Sequence, residues 1–387
     1  MEQRVNQILM SLLHSAMTGE PLTPEEKNRY TDEALPWLKK VSGIHDIAHL
    51  VAMGIEQNFP MTDETRQWVK QEVVRAMHRY GRLSGMTQSL CRVLEEEKIP
   101  FLPLKGAVIR EYYPEPWMRT SCDTDILVHE EDLERAIHCL TERYGYTQSR
   151  KGSHDVTLTH KNGIHLELHY TLIEDGVASA SSQVLNRVWQ NASIREGKQF
   201  WHEMDDGMFY FYHIAHMAKH FENGGCGVRP FIDLWLLDRM ENADTAGREA
   251  LLEQGALTKF ARAVQRLSRV WLEGEPHDEI TLQMENFILR GGVYGTTENR
   301  VAVQQQQIGG AGKYAISRLF LPYEVIRFQY PILNRCPWLL PVMEVRRWLK
   351  LVFCGHAVSS FRELKQNSTI SRDEAVKTRA FLDKIGL

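Results

Sequence analysis

The stretch Leu104–Val128, LKGAVIREYYPEPWMRTSCDTDILV, carries two aspartates one residue apart at the start of an apolar run. The residues that follow Asp125 favour a strand, whereas aspartate itself does not. In a strand, residues i and i+2 point to the same face, so Asp123 and Asp125 project together while Thr124 faces the other way. Two like charges this close repel each other unless they share a cation. The stretch therefore predicts a strand with a paired-carboxylate face.

This face suits a divalent cation, because magnesium prefers carboxylate oxygens and is commonly completed by substrate phosphates. An Asp-x-Asp pair by itself is also typical of a solvated strand end or an Asx turn. A third acid on a neighbouring strand favours the metal site. The run GIHLELHYTL supplies Glu167, which would share a strand face with His165 and His169. If the two strands are neighbours, Glu167 joins Asp123 and Asp125.

The texture of the sequence changes twice along the chain, which predicts three parts. Residues 1–98 have the periodicity of helices, residues 99–175 contain short apolar runs around a single helix, and residues 176–387 are mostly helical again. The predicted class is α+β, with a small mixed sheet flanked by N-terminal and C-terminal helical regions.

Local signals mark where the elements begin and end. Thr23 is a predicted N-cap before Pro24, and Thr62 or Asp63 is predicted to cap a long amphipathic helix. Gly145 should end the helix EDLERAIHCLTERYG. Two strand-like runs are joined by Lys161–Gly163, and its Asn-Gly pair is a strong hairpin signal. The central part is therefore predicted to contain a β-hairpin next to the carboxylate strand.

The composition is that of an ordinary globular protein: 387 residues, 43% apolar and 25% charged, with a formal charge of -4. Lysine and arginine are interspersed among acids, so nothing favours a nucleic-acid partner. The six cysteines form no C-x-x-C pair, which indicates a reducing, cytoplasmic setting. The N-terminus does not have the pattern of a signal peptide. A run of about 18 apolar residues, the length that a transmembrane helix needs, is absent.

The turn at Lys105-Gly106 follows a short apolar run and precedes a predicted helix. Backbone N–H groups at that helix start, together with the lysine, could cradle a phosphate. A glycine at the end of a strand is more often just a turn.

The order of these motifs resembles the uncharacterised nucleotidyltransferase family of the polymerase-beta-like superfamily. The resemblance rests on LKG, an arginine, DTDILV, a helix ending in Gly-Tyr and HLELHY, and then on AHMAKHF followed by RPFIDLWLL. GGVYG (Gly291–Gly295) and LFLPYEVIRFQYP are similar to the C-terminal part of that family. The resemblance spans about Lys98 to Trp348 and implies a nucleotidyltransferase-type sheet. One departure is the phosphate turn, where the wider superfamily places Gly-Gly or Gly-Ser.

What the resemblance implies is a metal-dependent nucleotidyltransferase. A hydroxyl on a small molecule or protein would attack the α-phosphate of a nucleoside triphosphate such as ATP and release pyrophosphate. Asp123 and Asp125 would bridge two magnesium ions, with manganese as the alternative. Glu167 would ligate the ion nearer the nucleophile or accept the proton of the acceptor.

Five residues are predicted to contact the nucleotide. Lys105 and Gly106 form the phosphate turn. Arg119 would pair with phosphate oxygens, although it could equally orient an aspartate. Lys219 or His220 would face the nucleotide from the helical region, with core packing as a close competitor.

Other polar residues have structural alternatives. His213, His216 and His220 share one helix face, and a zinc site there is the least favoured reading because the metalloprotease glutamate is missing. Either His165 or His169 could hydrogen-bond a metal-bound carboxylate or be a satisfied structural histidine.

Asp233 lies within an apolar helix, where an unpaired charge would be costly. We expect it to have a basic partner such as Arg229 or Lys219.

The main competing interpretation is a non-catalytic binding or accessory protein that retains the fold. The presence of Asp123, Asp125 and Glu167 argues against it. The segment CPWLLPVMEVRRWLKLVF mixes apolar and basic residues, so it could lie on a membrane surface or dock a partner, although packing on its own protein is the more ordinary arrangement.

Overall fold

A mixed five-stranded sheet lies at the centre of the protein. The computed structural model describes residues 2–163, 165–173, 179–353 and 367–387. The strand order is β1-β2-β5-β4-β3, with β2 parallel to β5 and the other neighbours antiparallel. This sheet and the helices around it confirm the predicted α+β class. The strands are β1 (Phe101–Pro103), β2 (Asp123–Val128), β3 (Tyr146–Lys151), β4 (Asp155–His160) and β5 (His165–His169).

The predicted turn and cap residues lie where the elements begin and end. Gly163, in the β4–β5 hairpin, has a φ of 77°, a left-handed conformation that glycine adopts readily. Gly145 ends the helix of residues Leu133–Tyr144 with a φ of 72°. Thr23 forms a capping box, and Thr62 accepts a hydrogen bond from the amide of Thr65. These four predictions are confirmed.

One face of the sheet is apolar and packs against helices. Ile126 on β2 and Leu166 and Leu168 on β5 are fully buried in a cluster with Leu94 and Leu140 from two helices. Because side chains alternate along a strand, the residues between them point to the opposite face. The packing of the apolar face therefore determines that the carboxylates of β2 and β5 face away from this core.

The helices before and after the sheet share a single core. Ile8 and Leu12 of the first helix belong to the same buried cluster as Phe231 and Leu267 from the C-terminal half of the chain. A Cβ on Gly54 would lie 2.4 Å from the carbonyl oxygen of Leu12, which shows how closely two of the N-terminal helices approach. The division of the chain into three parts at residues 98 and 175 therefore stays a prediction from the sequence pattern. The helices up to residue 254 are α1 (Glu2–Thr18), α2 (Pro24–Lys27), α3 (Leu35–Ile44), α4 (Ala48–Asn58), α5 (Asp63–Glu96), α6 (Gly106–Ile109), α7 (Leu133–Tyr144), α8 (Ala180–Leu185), α9 (Asp206–Glu222), α10 (Arg229–Asp238) and α11 (Thr245–Gln254).

A small hairpin within the C-terminal part does not follow from the sequence patterns. Its strands, β6 (Ala192–Ile194) and β7 (His202–Met204), have three residues each, which is too short for an alternation pattern to show. The amide of Phe101 donates to the carbonyl of Phe200, at 2.9 Å, and so attaches this hairpin to β1.

The last helices surround a small apolar cluster of their own, formed by Ile326, Leu333 and Met343. Among the described residues, no helix combines the length and the apolar character needed to cross a bilayer. The remaining helices are α12 (Thr258–Leu272), α13 (Glu279–Leu289), α14 (Thr297–Ile308), α15 (Ala311–Leu319), α16 (Tyr323–Gln329), α17 (Leu340–Phe353) and α18 (Arg372–Ile385).

Candidate active site

The parallel pairing of β2 and β5 places acids side by side. In the register of the two strands, Asp125 is directly opposite Glu167, and Asp123 is opposite His165. Neighbouring residues on one sheet face have closely spaced Cβ atoms. The two strands are therefore neighbours, which is the condition under which Glu167 joins the aspartates.

His169 completes the tightest cluster on this face. One ligand atom each from Asp125, Glu167 and His169 can be chosen so that all three lie within 4.8 Å of one another. The Nε2 atom of His169 is 3.5 Å from Oδ1 of Asp125 and 3.7 Å from Oε2 of Glu167, longer than an ordinary N–H···O bond. This nitrogen is buried and has no hydrogen-bond partner among the residues that the structure describes. The cluster thus holds an unsatisfied polar atom aimed at two carboxylates.

The two carboxyl groups of the cluster have opposite pKa shifts. Burial by itself would raise the pKa of Asp125, but His169 and Lys105 help to lower it to about 2. The pKa of Glu167 is raised, first by burial and then by the negative charge of Asp125. Two interacting acids whose environments separate their pKa values are a common feature of catalytic sites. Glu167 is the member that more readily takes up a proton.

Asp123 lies at the edge of this arrangement. Its Oδ1 accepts a hydrogen bond of 2.9 Å from the hydroxyl of Ser121. Among the described residues, the cluster of ligand atoms contains His169 rather than Asp123. The tightest group in the structure therefore differs by one member from the predicted set of Asp123, Asp125 and Glu167.

These donors fit a divalent cation. Carboxylate oxygens suit magnesium and manganese, and an imidazole nitrogen shifts the preference towards transition metals such as manganese. The unsatisfied Nε2 of His169 would gain a partner from a cation held by Asp125 and Glu167. The group has the chemistry expected of a metal site.

The turn at Lys105 is strained and points its side chain towards the cluster. Lys105 has φ 30° and ψ -96°, a sparsely populated conformation for a residue with a side chain. Its Nζ is 5.4 Å from the centre of the Tyr212 ring. Burial lowers the pKa of Lys105, which Asp125 opposes by favouring the charged form. The side chain thus lies in the electrostatic field of the carboxylates.

The backbone of the same turn is partly occupied. The helix that starts at Gly106 has only four residues. The amide of Ala107 donates to the carbonyl of Leu104, and that of Val108 to the carbonyl of Lys105. Two of the N–H groups considered for a phosphate cradle therefore already have acceptors within the turn.

Gly106 is packed against an arginine. A Cβ at this position would lie 2.8 Å from Nη1 of Arg119. The other end of that guanidinium is bound to Asp233, because Nε donates to Oδ1 at 2.9 Å and Nη2 donates to Oδ2 at 2.8 Å. Of the three guanidinium nitrogens, Nη1 is the one that does not bind Asp233. The predicted phosphate contact of Arg119 would therefore be made by Nη1, beside Gly106.

Asp233 has a different partner from the one expected. Neither Arg229 nor Lys219 forms the pair: Arg119 holds both carboxylate oxygens, and the hydroxyl of Tyr113 donates to Oδ1 at 2.7 Å. Arg229 instead pairs with Asp46 at 3.0 Å. The expectation of a basic partner is correct, but the residue lies far away in the sequence, where helix periodicity gives no information.

Helix α9 presents its polar residues in different environments. His213 contacts the carbonyl of Pro230 at 3.0 Å, which makes it a satisfied structural histidine. His216 and His220 contact each other through their Nε2 atoms at 3.2 Å. Lys219 is exposed and close enough to Lys105 to disfavour the charge of that residue. Lys219 therefore lies near Lys105, and contact of Lys219 or His220 with a nucleotide stays a prediction.

Comparisons with known proteins agree with this geometry. A search of curated proteins finds no match to the chain. The sequence profile of a family described as uncharacterised nucleotidyltransferase matches residues 35–273. The match begins earlier than the motif resemblance, in the N-terminal helices, and ends before GGVYG. Because it covers more than half of the sequence and includes both carboxylate strands, the chain belongs to the uncharacterised nucleotidyltransferase family.

Proposed function

We propose that the protein transfers a nucleoside monophosphate from a nucleoside triphosphate to a hydroxyl of a small molecule or protein. The single observation that carries this proposal is the cluster of Asp125, Glu167 and His169 across two parallel strands. Family membership supports nucleotidyl transfer in general.

Asp123, Asp125 and Glu167 would hold magnesium or manganese, with His169 either as a further ligand or as the group that orients Asp125. Bound metal supplies charge neutralisation at the α-phosphate and activation of the attacking hydroxyl. The protein contributes the fixed geometry, because β2 and β5 hold the carboxylates in register before any substrate arrives.

The proposed reaction forms a bond between the acceptor oxygen and the α-phosphorus and breaks the bond from that phosphorus to the bridging oxygen of pyrophosphate. The acceptor proton would pass to Glu167, the carboxylate that lies opposite Asp125 across the two strands. Lys105, Lys219 and Nη1 of Arg119 would neutralise the phosphates, and the amide of Gly106 would donate a hydrogen bond to them.

The test is binding of each of the four nucleoside triphosphates in the presence of magnesium or manganese. We expect at least one to bind wild-type protein and to bind Asp125→Asn at least 10-fold more weakly, because a ligand to the cation is weakened. Asp206→Asn, which changes an acid at the start of α9 that is paired with Arg248, is the control. If no triphosphate binds wild type with either metal, the proposal is wrong.

A reducing, cytoplasmic location is part of the same proposal. Among the described residues, Cys91, Cys122, Cys139, Cys226 and Cys336 are free thiols. Unpaired cysteines are typical of proteins kept in reducing compartments. Locating a tagged protein by cell fractionation tests this.

A second candidate function concerns the outer face of α17. Val342, Val345 and Leu349 are each more than half exposed at spacings of three and four residues, next to the exposed Arg346 and Lys350. Trp338, just before the helix, is 75% exposed. Between residues 309 and 353 there are seven basic residues and two glutamates, in a chain whose overall charge is negative. Apolar residues flanked by basic ones are typical of helices that lie on anionic membranes.

We propose that this face binds an anionic lipid surface. Wild-type protein should sediment with vesicles containing phosphatidylserine and not with pure phosphatidylcholine, and binding should fall at high salt. Val345→Glu with Leu349→Glu should abolish it while triphosphate binding persists. Salt-independent binding, or a concentration-dependent dimer that the same variant disrupts, would contradict the proposal.

A further inference from the structure

A row of aromatic rings runs along one side of α9. Tyr212, His216 and His220 follow one another at spacings of four residues and so lie on one helix face. The ring centres of Tyr212 and His216 are 6.4 Å apart, and those of His216 and His220 are 4.3 Å apart. The row continues beyond the helix, because the ring of Tyr294 lies 6.3 Å from that of His220. We call these four residues the aromatic row.

Both ends of the aromatic row lie in the electrostatic field of the carboxylates. Tyr212 lies beside Lys105, and its pKa is raised well above the ordinary value by burial and then by Asp125. The pKa of Tyr294, at the other end, is raised by partial burial and then by the negative charge of Asp123. The row therefore runs alongside the candidate metal site rather than away from it.

The loop that carries Tyr294 is held in place by close backbone contacts. Gly295 has a φ of 68°, and a Cβ there would lie 2.1 Å from the carbonyl oxygen of Gly224. The amide of Val293 donates to the carbonyl of Ile44 at 3.1 Å. These contacts fix the backbone on both sides of Tyr294, while the side chain itself is 75% exposed. A large aromatic ring thus stands in solvent on a well-anchored loop.

The chemistry of the row suits a flat heterocycle. Burial lowers the pKa of His216 well below its usual value, and Lys105 adds to this effect. The His216 ring is therefore neutral at physiological pH, which avoids placing a fixed positive charge in the middle of the row. Stacking on aromatic side chains accepts every nucleobase, because each base has a π-face. The charged groups that would interact with phosphates, Lys105 and Lys219, lie on the same side of the protein.

We infer that the aromatic row is the base-binding side of the site, and that Tyr294 stacks on the base of the nucleoside triphosphate. The triphosphate then extends from this ring towards Lys105 and the carboxylates. Tyr294 lies beyond the part of the chain that the family profile matches. A base-binding residue is therefore contributed by the C-terminal helical region, through the GGVYG loop. This inference rests on the proposed function.

The test compares a ligand that has a base with one that does not. The affinities of ATP and of inorganic tripolyphosphate, each with the metal that supports binding, are measured for wild type, Tyr294→Ala, Tyr294→Phe and Tyr294→Trp. Losing the stacked ring should weaken ATP binding about 5- to 150-fold in Tyr294→Ala. Tripolyphosphate should bind wild type and this variant equally. The Phe and Trp variants should bind ATP within about 3-fold of wild type, since they keep an aromatic face.

The control variant is Phe320→Ala, which removes another exposed aromatic side chain, 63% exposed and outside the aromatic row. It should leave the affinities of ATP and tripolyphosphate unchanged. Equal ATP affinity in wild type and Tyr294→Ala would overturn the base site while leaving the proposed function intact. Equal losses of ATP and tripolyphosphate in Tyr294→Ala would also overturn it, because the effect would then be on the shape of the site. Wild type that binds neither ligand would contradict the proposed function itself.

Discussion

The ion pair of Asp233 with Arg119 and the carboxylate cluster on β2 and β5 differ in how completely their polar atoms are satisfied. Asp233 has both carboxylate oxygens on Arg119 and a third hydrogen bond from Tyr113. Asp125 and Glu167, in contrast, face each other across two strands, with a histidine nitrogen that reaches neither at hydrogen-bond distance. We call the first cluster closed, because both carboxylate oxygens have partners. We call the second cluster open, because Nε2 of His169 has no hydrogen-bond partner among the described residues.

The two clusters therefore indicate different roles for their charged side chains. The closed pair joins Arg119, in the segment just before β2, to Asp233 in α10. It therefore holds two distant parts of the chain together, although desolvation reduces its net contribution to stability. An open cluster of like charges is costly in the absence of a cation, and such strain is a recurring property of binding sites. The same residue type, aspartate, thus has a structural role in one cluster and a proposed catalytic role in the other.

The largest effect should come from Asp125→Asn in the open cluster. Nucleotidyl transfer should fall about 1,000-fold, because a weakened metal ligand removes several kcal/mol of charge stabilisation from the transition state. The melting temperature should change little. Pyrophosphate release and thermal unfolding measure the two quantities. Retained transfer activity would remove Asp125 from the proposed site.

The same change in the closed cluster, Asp233→Asn, should act on stability. Leaving Arg119 buried and without its charged partner should cost about 3–5 kcal/mol of the free energy of unfolding. Urea denaturation measures this loss. Replacing both residues by apolar ones, Arg119→Met with Asp233→Leu, should recover a large part of it, and a double variant as unstable as the single one would contradict the desolvation argument.

Lowering the pH should also remove the stability that the pair of Asp233 and Arg119 contributes. Arg119 lowers the pKa of Asp233 below its value in the unfolded chain, although burial opposes this shift. The pair therefore contributes stability above the unfolded pKa of about 3.9, and that contribution is lost as the pH falls through the lower folded value. Wild-type stability should drop between about pH 5 and pH 2 more steeply than that of Asp233→Asn.

An intermediate effect is expected from His169→Ala. Metal affinity should fall about 10- to 100-fold, as is usual when a weak ligand or an orienting residue is removed. His165→Ala, on the exposed first residue of the same strand, is the matched control and should leave affinity unchanged. Manganese titration with and without ATP measures both. Equal effects at the two histidines would mean that strand integrity rather than contact with the carboxylates is responsible.

The smallest effect should be a gain in stability from Glu167→Gln in metal-free protein. The pKa of Glu167 is raised by burial and by Asp125, so its ionised form is disfavoured in the folded chain at neutral pH. Removing that charge should raise the melting temperature slightly. The gain should disappear as the pH falls through the raised pKa, because wild-type Glu167 is then also neutral. A lower melting temperature at neutral pH would show that the open cluster is not strained.

Much of the central sheet could be predicted from short-range signals. The Asn162-Gly163 pair indicated the hairpin, Gly145 the end of α7, and Thr62 the start of α5, and all three lie where predicted. Such signals are local: a turn needs a residue that tolerates positive φ, and a helix start needs a side chain that accepts an amide hydrogen bond. Strand alternation likewise predicted that Asp125 shares a strand face with Asp123, and that Glu167 shares one with His165 and His169.

The composition of the site was less predictable. Alternation places Asp123 on the same face as Asp125, and His169 on the same face as Glu167. Only the register of β5 against β2 decides that His169, and not Asp123, lies within reach of both Asp125 and Glu167. Alternation specifies a face but not a distance. Tyr294 was included in the GGVYG motif without a role, because its position relative to α9 depends on packing between distant parts of the chain.

The sequence by itself determined the class of the fold, the ends of its central elements and the pairing of two carboxylates on one strand face. These depend on the conformational preferences of neighbouring residues. Only the tertiary structure decided that Arg119 binds Asp233, that α1 and α12 share a core, and that Tyr294 extends the aromatic row of α9. Such contacts join residues far apart in the chain, and they exist only because burial of the apolar faces brings those segments together.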